Sequence, residues 1–304
     1  MFNNVVVTGG TGFVGSHLVK RLVDLDCQVH VIVRPSSELH LLKSVENKVN
    51  FHVFSGETNH LSEMFKQFQP ELVFHLASLF ISEHTSEQVL PLIGSNVAFS
   101  AQILEAMAVS GTNYIVNTGT AWQHFKGEDY NPVNLYAATK QAFESILTYY
   151  VEARGVRATT LKLFDTYGPD DPRKKLFHLL HHVSMSGQRL DMSPGEQLIN
   201  VVYIDDVVDA FILAGRLLIE QAIGNNSHFA VASNEVVSLR KLVSIYSELT
   251  GRDLNINWGG RQYRSREVMF PWSNGPTLPG WTPKVSLEKG IRLLEQAVRS
   301  NSKI

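Results

Sequence analysis

The chain has 304 residues, 44% hydrophobic and 18% charged, enough to bury a sizeable core without disulfides or metals. Lys+Arg 27 against Asp+Glu 29 leaves a formal charge of −2 and no basic block, which argues against nucleic acid or an anionic membrane as partner. The single cysteine, Cys27, excludes an internal disulfide and a multi-cysteine zinc site, and suits a reducing compartment. With no signal-peptide pattern in its first residues and no long apolar run in view, the expectation is a cytoplasmic chain without a membrane span.

In chain order, a strand at residues 5–7 precedes a helix over 12–25, where Phe13, Val14, Leu18, Val19, Leu22 and Val23 recur at helical spacing. Cys27 is placed with this first helix. Short buried runs at 29–33, 51–54, 72–76, 114–116 and 159–163 read as further strands. Val97, Ile103, Leu104 and Met107 mark a crossover helix, and residues 134–153 another. This alternation predicts βαβ units and a parallel sheet. After Gly168-Pro169 loop residues become frequent, so the expected division is a dinucleotide-binding domain over 1–170 and a mainly substrate-binding lobe over 171–304, with some segments returning to the first domain. Helical patterns persist at 207–218, 239–249 and 287–298, whereas 252–283 shows few elements.

The turn after the first strand reads Thr8-Gly9-Gly10-Thr11-Gly12-Phe13-Val14-Gly15. A turn that holds a pyrophosphate needs glycine for its bend, for close backbone approach and where helix meets sheet. The helix start adds free N–H groups and the positive end of its dipole. A glycine-rich turn without a ligand is the alternative, which the βαβ frame disfavours.

The spacing Gly9-x-x-Gly12-x-x-Gly15 resembles the extended short-chain dehydrogenase/reductase (NAD-dependent epimerase/dehydratase) family. Tyr136-Ala137-Ala138-Thr139-Lys140 matches its Tyr-x-x-x-Lys, Thr120 its Ser/Thr after strand five, and Tyr167-Gly168-Pro169 its motif after strand six. His75-Leu76-Ala77-Ser78, Asn96 and Gly280-Trp281-Thr282-Pro283 also match, so the resemblance spans essentially the whole chain. It implies a Rossmann-type doubly wound parallel sheet with a smaller C-terminal α/β substrate lobe. It also implies a nicotinamide dinucleotide held by Gly9, Thr11, Gly12, Phe13, Val14, Gly15, Leu76, Ala77, Ser78, Tyr136 and Lys140. An acid at the end of strand two would take the adenosine ribose and favour NAD(H). Arg34 stands there with no acid before Glu38, so NADP(H) is expected over NAD(H), a solvated surface arginine being the alternative. Glu57 stands where the family often has an adenine-contacting acid.

Tyr136 and Lys140, four apart on a helix, share one face. A phenol with a pKa near ~10 is a poor proton carrier at neutral pH, and the Lys140 ammonium is expected to lower it. By the resemblance Lys140 also holds the nicotinamide ribose, Thr120 hydrogen-bonds the substrate oxygen, and Tyr136 protonates it as hydride reaches the carbonyl carbon.

Sugar 4,6-dehydratases of this family carry Asp-Glu after the catalytic threonine, where this chain has Ala121-Trp122. GDP-fucose synthase-type enzymes place a cysteine at the position of Trp122. The segments 135–144 and 163–169, with Asp165 in place of the usual asparagine, look most like the reductases that finish dideoxysugars, such as CDP-abequose and CDP-paratose synthases. The expected reaction is NADPH-dependent reduction of the 4-keto group of a nucleotide-activated deoxysugar. Alternatives are an NAD-dependent C4 epimerase, a non-sugar ketoreductase and a non-catalytic cofactor-binding protein.

For the nucleotide-diphosphate sugar, Thr120, Asp165, Lys175 and Arg264 are the expected contacts, with Lys174 and Arg266 as neighbours. Leu190-Asp191-Met192 is expected to pass the base. Another common family arginine is Ile199 here. His178, His181 and His182 share helical spacing but have no acid or cysteine arranged with them, so no metal is expected. The aromatic cluster around Trp272 and Trp281 reads as packing. The family often dimerises through the helix carrying Tyr136 and the crossover helix before it, which implies a homodimer.

Overall fold

Val5, Val6 and Val7 are all fully buried although successive side chains on a strand point to opposite faces. A strand buried on both sides belongs inside a parallel sheet covered by helices on each face. The computed structural model, which describes residues 2–301, places it there. Its first part runs β1 (Asn4–Thr8), α1 (Phe13–Asp24), β2 (Gln28–Val33), β3 (Val49–Val53), α2 (Thr58–Phe68), β4 (Leu72–His75), α3 (Val89–Ile93), α4 (Phe99–Ser110), β5 (Tyr114–Thr120), α5 (Leu135–Arg154) and β6 (Arg157–Leu163). There follow β7 (Asp165–Tyr167), α6 (Leu176–Ser186), β8 (Leu190–Met192), β9 (Leu198–Ile199), β10 (Val201–Tyr203), α7 (Ile204–Ile219), β11 (Asn226–Val231), β12 (Val237–Ser238), α8 (Leu239–Thr250), β13 (Ile256–Trp258) and α9 (Leu287–Asn301).

Seven parallel strands form the main sheet in the order β11-β6-β5-β4-β1-β2-β3. Val5, Val7 and Phe74 pack on one face with Leu18 and Leu22 of α1 and Phe211 and Ala214 of α7. Val6, Val73 and Ile115 pack on the other with Leu61 and Phe65 of α2, Ile103 and Met107 of α4, and Phe143 of α5. The order reverses between β1 and β4, and the crevice at the carboxyl ends of the strands there is where such sheets bind ligands.

Several local expectations change. β11, from the second half of the chain, completes the main sheet beside β6; its side chains are partly exposed because it is an edge strand. β3, on the other edge, likewise leaves Val53 51% exposed. Cys27 lies beyond the end of α1, buried, with its thiol donating to the Phe2 carbonyl at 3.5 Å. Contrary to the expectation of no such stretch, the helical run Ser86–Ser110 is long and apolar enough, by length and composition, to cross a membrane. In the fold it is the crossover between β4 and β5, with Ile103, Leu104 and Met107 fully buried and a π-turn at Gly94–Ala98.

The smaller lobe holds two-stranded pairs, β7 with β10, β9 with β12 and β8 with β13. Asp206, 2% exposed in the first turn of α7, accepts from the Lys284 and Val285 N–H groups at 2.9 and 3.0 Å. The Trp281 indole donates to the Asp206 carbonyl at 3.0 Å. The Gly280-Trp281-Thr282-Pro283 segment is thereby clamped onto α7, a packing role.

Candidate active site

The glycine turn leaves β1 at the point where the strand order reverses. Gly9 has φ +69°, and a Cβ there would sit 2.5 Å from the Ala77 nitrogen; one on Gly15 would sit 2.1 Å from the Gly9 oxygen. Those two glycines let the backbone close on itself. Gly12 differs: a Cβ would meet only the Gly9 oxygen, at 3.3 Å, with open space beyond. Gly12 also caps α1 without a side-chain hydrogen bond, and no acid stands in the first turn. Free N–H groups, a positive dipole end and an open approach fit a dinucleotide pyrophosphate. Thr11 and Val14 are half-buried beside it, while the Phe13 ring is buried beneath the Arg173 guanidinium, 4.4 Å away.

After β4, Leu76 and Ala77 lie half-buried against Gly9 and Ser78 is exposed. His75 is fully buried, 2.8 Å from both the Thr8 and Ser100 hydroxyls. Burial pulls its pKa down to about 3, with the Lys140 charge adding to the shift, so the ring is neutral and latches β1 to β4 and α4. Asn96, in the π-turn, accepts from the Leu79 N–H at 2.7 Å and donates to the Leu79 carbonyl and the Thr139 hydroxyl, both at 3.0 Å. It ties the loop after β4 to α5.

Thr120 ends β5, buried, its hydroxyl accepting from the Trp122 N–H at 3.3 Å. Tyr136 lies in the first turn of α5, which Asn134 caps by accepting from the Ala137 N–H at 2.9 Å. Phe80 packs edge-on against the Tyr136 ring at 4.9 Å. Burial pushes the Tyr136 phenol up to about 12; Ser78 and Arg173 act against that and Asp165 with it. The net shift is opposite to the expectation that the Lys140 ammonium brings the phenol down: the cost of taking the phenolate out of water outweighs the neighbours, and Lys140 is not among the groups that shift it. Lys140 is 2% exposed, and burial brings its ammonium down to about 8, with Glu144 raising and Lys162 lowering it. It makes no hydrogen bond or ion pair among the described residues. A largely desolvated ammonium with no protein partner fits a ligand hydroxyl such as a nicotinamide ribose.

Arg34, just past β2, is exposed and its side chain has no partner among the described residues; Glu38 points to solvent, 3.5 Å from His40. Glu57, at the start of α2, is exposed as well.

A cavity of about 630 Å³ brings together Asp165, Lys175 and Arg264, walled by Phe80 and Trp122 and extending to Leu190, Asp191 and Met192. Thr120, Tyr136 and Lys140 do not line it; Phe80 borders Tyr136 and Trp122 borders Thr120. Asp165 and Lys175 face each other at 3.2 Å, and the Lys175 ammonium lies 5.0 Å from the centre of the Phe80 ring. Arg264 is partly exposed, its Nε 3.8 Å from Glu83. Lys174 and Arg261 also line the cavity, whereas Arg266 bonds Asn131 and stacks on Phe125, away from it.

Arg173 escaped the reading of the sequence. It donates to the Thr166 carbonyl at 2.9 Å and pairs with Asp171 at 2.7 Å while covering Phe13, so it borders both the cavity and the glycine turn. Nothing local marks it apart from the cations that follow it. His181 lies beside Arg252 and Glu295, and no group of three metal-ligating side chains occurs among the described residues. Trp272 stacks on His124 at 3.8 Å.

Residues 5–229 match the profile described as "NAD dependent epimerase/dehydratase family". The CDP-abequose synthase of Yersinia pseudotuberculosis is 28% identical over 269 residues, 88% of this chain and 91% of that one. The UDP-glucose 4-epimerase of Mycolicibacterium smegmatis is also 28% identical, over 98% of this chain and 99% of its own. The solved UDP-glucose-4-epimerase of Stenotrophomonas maltophila, with bound NAD and formylated UDP-arabinopyranose, superposes with a TM-score of 0.87 at 17% identity, covering 100% of this chain and 99% of that one. With the profile spanning most of the chain on a fold of matching topology, the protein belongs to the NAD-dependent epimerase/dehydratase family of extended short-chain dehydrogenases/reductases.

Proposed function

We propose that the protein is a ketoreductase that reduces the 4-keto group of a nucleotide-activated deoxysugar, using NADPH. The observation that carries the direction of the reaction is Arg34 just past β2, an exposed cation whose side chain has no partner among the described residues and with no acid before Glu38, which suits the 2′-phosphate of NADPH, a reductant exchanged at each turnover. The Tyr136 phenol, pushed above its ordinary range by burial, can donate its proton to a carbonyl oxygen on its way to an alcohol. When bound, the nicotinamide dinucleotide supplies the hydride. Gly12 and the free N–H groups of α1 hold its phosphates, Arg34 pairs with a 2′-phosphate, and Lys140 bonds the ribose. Thr120 orients the substrate oxygen and Tyr136 delivers the proton to it.

Arg264, Lys174 and Lys175 supply the positive edge for a diphosphate, with Asp165 toward the sugar. Phe80 and Trp122 give the sugar an apolar wall beside Tyr136, suited to a ring that has lost hydroxyls. The similarity to CDP-abequose synthase supports the same class. A second reading, C4 epimerisation with retained NAD, draws on the comparable similarity to UDP-glucose 4-epimerase. For assembly, we assign a homodimer to the two helices that leave apolar side chains open, α3 with Leu90 at 77% and Ile93 at 41% exposure and α5 with Tyr149 at 56%.

The test is a panel of nucleotide-activated 4-keto sugars with NADPH and NADH. Stoichiometric NADPH oxidation, falling at least about 100-fold in Tyr136→Phe, is the expected result. Interconversion of UDP-hexoses without net oxidation of added cofactor would establish the epimerase instead, and near-normal turnover in Tyr136→Phe would remove that residue from the chemistry.

A further inference from the structure

A buried charge in the middle of a strand demands a partner, and Lys162 of β6, 2% exposed, has one. Its ammonium donates to both oxygens of Glu144, at 2.8 and 2.7 Å. Glu144 stands one helical turn beyond Lys140 on α5. The same carboxylate accepts from the Gln123 amide at 2.9 Å, and that amide also donates to Gln141 at 2.7 Å. The Gln123 carbonyl oxygen, in a side chain with no exposed surface, accepts from the Thr120 N–H at 2.9 Å. A continuous chain of hydrogen bonds thus joins the Thr120 peptide to the neighbour of Lys140. It passes over Gly119, where an added Cβ would sit 2.8 Å from Lys162 Cδ and 3.0 Å from Gln123 Oε1.

We propose that Gln123, Glu144 and Lys162 are positioning residues of the reaction: Gln123 fixes the Thr120 peptide, and the Glu144–Lys162 pair sets the charge that Lys140 presents to its ligand. This rests on the reading of Thr120, Tyr136 and Lys140 as the catalytic group. Replacing an ion pair of this depth by apolar side chains is often neutral or stabilising, so stability alone gives little reason to keep it. Its location does, because every member touches an element that carries a catalytic side chain.

The groups facing Lys140 come from each element around it. From α5 it is Glu144, from β6 Lys162, and from β4 the neutral His75, with Tyr136 one helical turn back on α5 and outside this set. His124, after β5, feels Lys162 and Glu144. Glu105 of α4 is engaged with Tyr150 and Arg154, farther along α5, and neither α3 nor the π-turn carries an ionisable side chain. Glu144 favours the Lys140 ammonium and Lys162 opposes it.

Two variants therefore act in opposite directions. In Glu144→Gln the ammonium of Lys140 loses its counter-charge and faces an unpaired Lys162, so it gives up its proton at lower pH. In Lys162→Met the repulsion goes and Glu144 is free to act on Lys140, so it keeps its proton to higher pH. The measurement is an NMR titration of protein labelled with ¹³Cε-lysine, the Lys140 signal identified by its loss in Lys140→Arg. Displacements of opposite sign, each about half a pH unit or more, are expected, with the double variant Glu144→Gln/Lys162→Met between them. Displacements in the same direction, or none, would overturn the proposal.

Should either single variant fail to fold, Gln123→Met decides. It removes the link to Thr120 without altering charge, and is expected to lower kcat about tenfold with the accepted 4-keto sugar while the NADPH Kd stays within about twofold. An unchanged kcat overturns the proposal. Near-normal turnover in Tyr136→Phe, with the lysine titrations still split, would instead place the fault in the assignment of the catalytic group.

Discussion

Gly12 and Gly15 lie three residues apart in one turn, yet the same substitution at each tests a different property. In Gly15→Ala the new Cβ starts 2.1 Å from the Gly9 oxygen and 2.8 Å from Gly10 Cα, whereas real Cβ contacts almost never fall below 3.0 Å. The turn must open by about 0.9 Å against backbone atoms, an overpacking that costs about 3 kcal/mol. At about 2.1 cal/mol/K per residue, 304 residues convert that to a Tm loss of roughly 5 °C. In Gly12→Ala the only contact is the Gly9 oxygen at 3.3 Å, so the cost is that of alanine at a helix N-cap, about 1 kcal/mol and under about 2 °C. Its methyl group, however, fills the space over the free N–H groups of α1. Dinucleotide affinity should drop about 10- to 100-fold, or roughly 1.4–2.8 kcal/mol. Thermal melts paired with fluorescence titration of NADPH and NADH separate the two effects. Wild-type affinity in a folded Gly12→Ala variant would refute the placing of the pyrophosphate, and an unchanged Tm in Gly15→Ala would refute the steric argument.

Three further outcomes are expected. Arg34→Asp should weaken NADPH about tenfold or more while leaving NADH within a few-fold; equal loss of both, or of neither, would count against a 2′-phosphate contact. His75, at about 3, and His30, at about 4, are held well below their ordinary range by burial, and burial also lowers His17, His52 and His124. Between pH 6.5 and 4 the unfolded chain binds protons that the native one refuses, so stability is full above about 6.5 and declines by about 1.4 kcal/mol per pH unit for each fully shifted histidine as pH falls. Denaturant midpoints that stay flat from pH 7 to 5 would contradict this. Asp206→Ala strands the Lys284 and Val285 N–H groups beside α7 and should cost about 2–4 kcal/mol in urea unfolding; a loss below about 0.5 kcal/mol would show that the clamp does not hold.

Much of the site was legible in the sequence because it is local. The glycine spacing, the Tyr136–Lys140 pair and Thr120 each lie in one continuous segment, and short β-branched runs between helical patterns signal a parallel sheet without any long-range information. β11 was not legible, since an edge strand with half-exposed side chains lacks the buried run that marks the central ones. Lys162 did leave a signal, a lysine inside an apolar strand, but the sequence does not name Glu144 as its partner. Arg173 acts across more than one element, where spacing carries no information, and Asn96 was marked by the family resemblance alone.

What the sequence by itself determined is the order of the first six strands with the helices α1, α4 and α5, the glycine turn, and which side chains could do the chemistry, because these follow from periodicity and from the backbone freedom of particular residues. Only the tertiary structure decided their states. It pushed the Tyr136 phenol up and the Lys140 ammonium down, paired Asp165 with Lys175, and buried Lys162 against Glu144. The reason is that desolvation depends on everything packed around a group, and in a low-dielectric interior that cost outweighs the single neighbouring charge visible in the sequence.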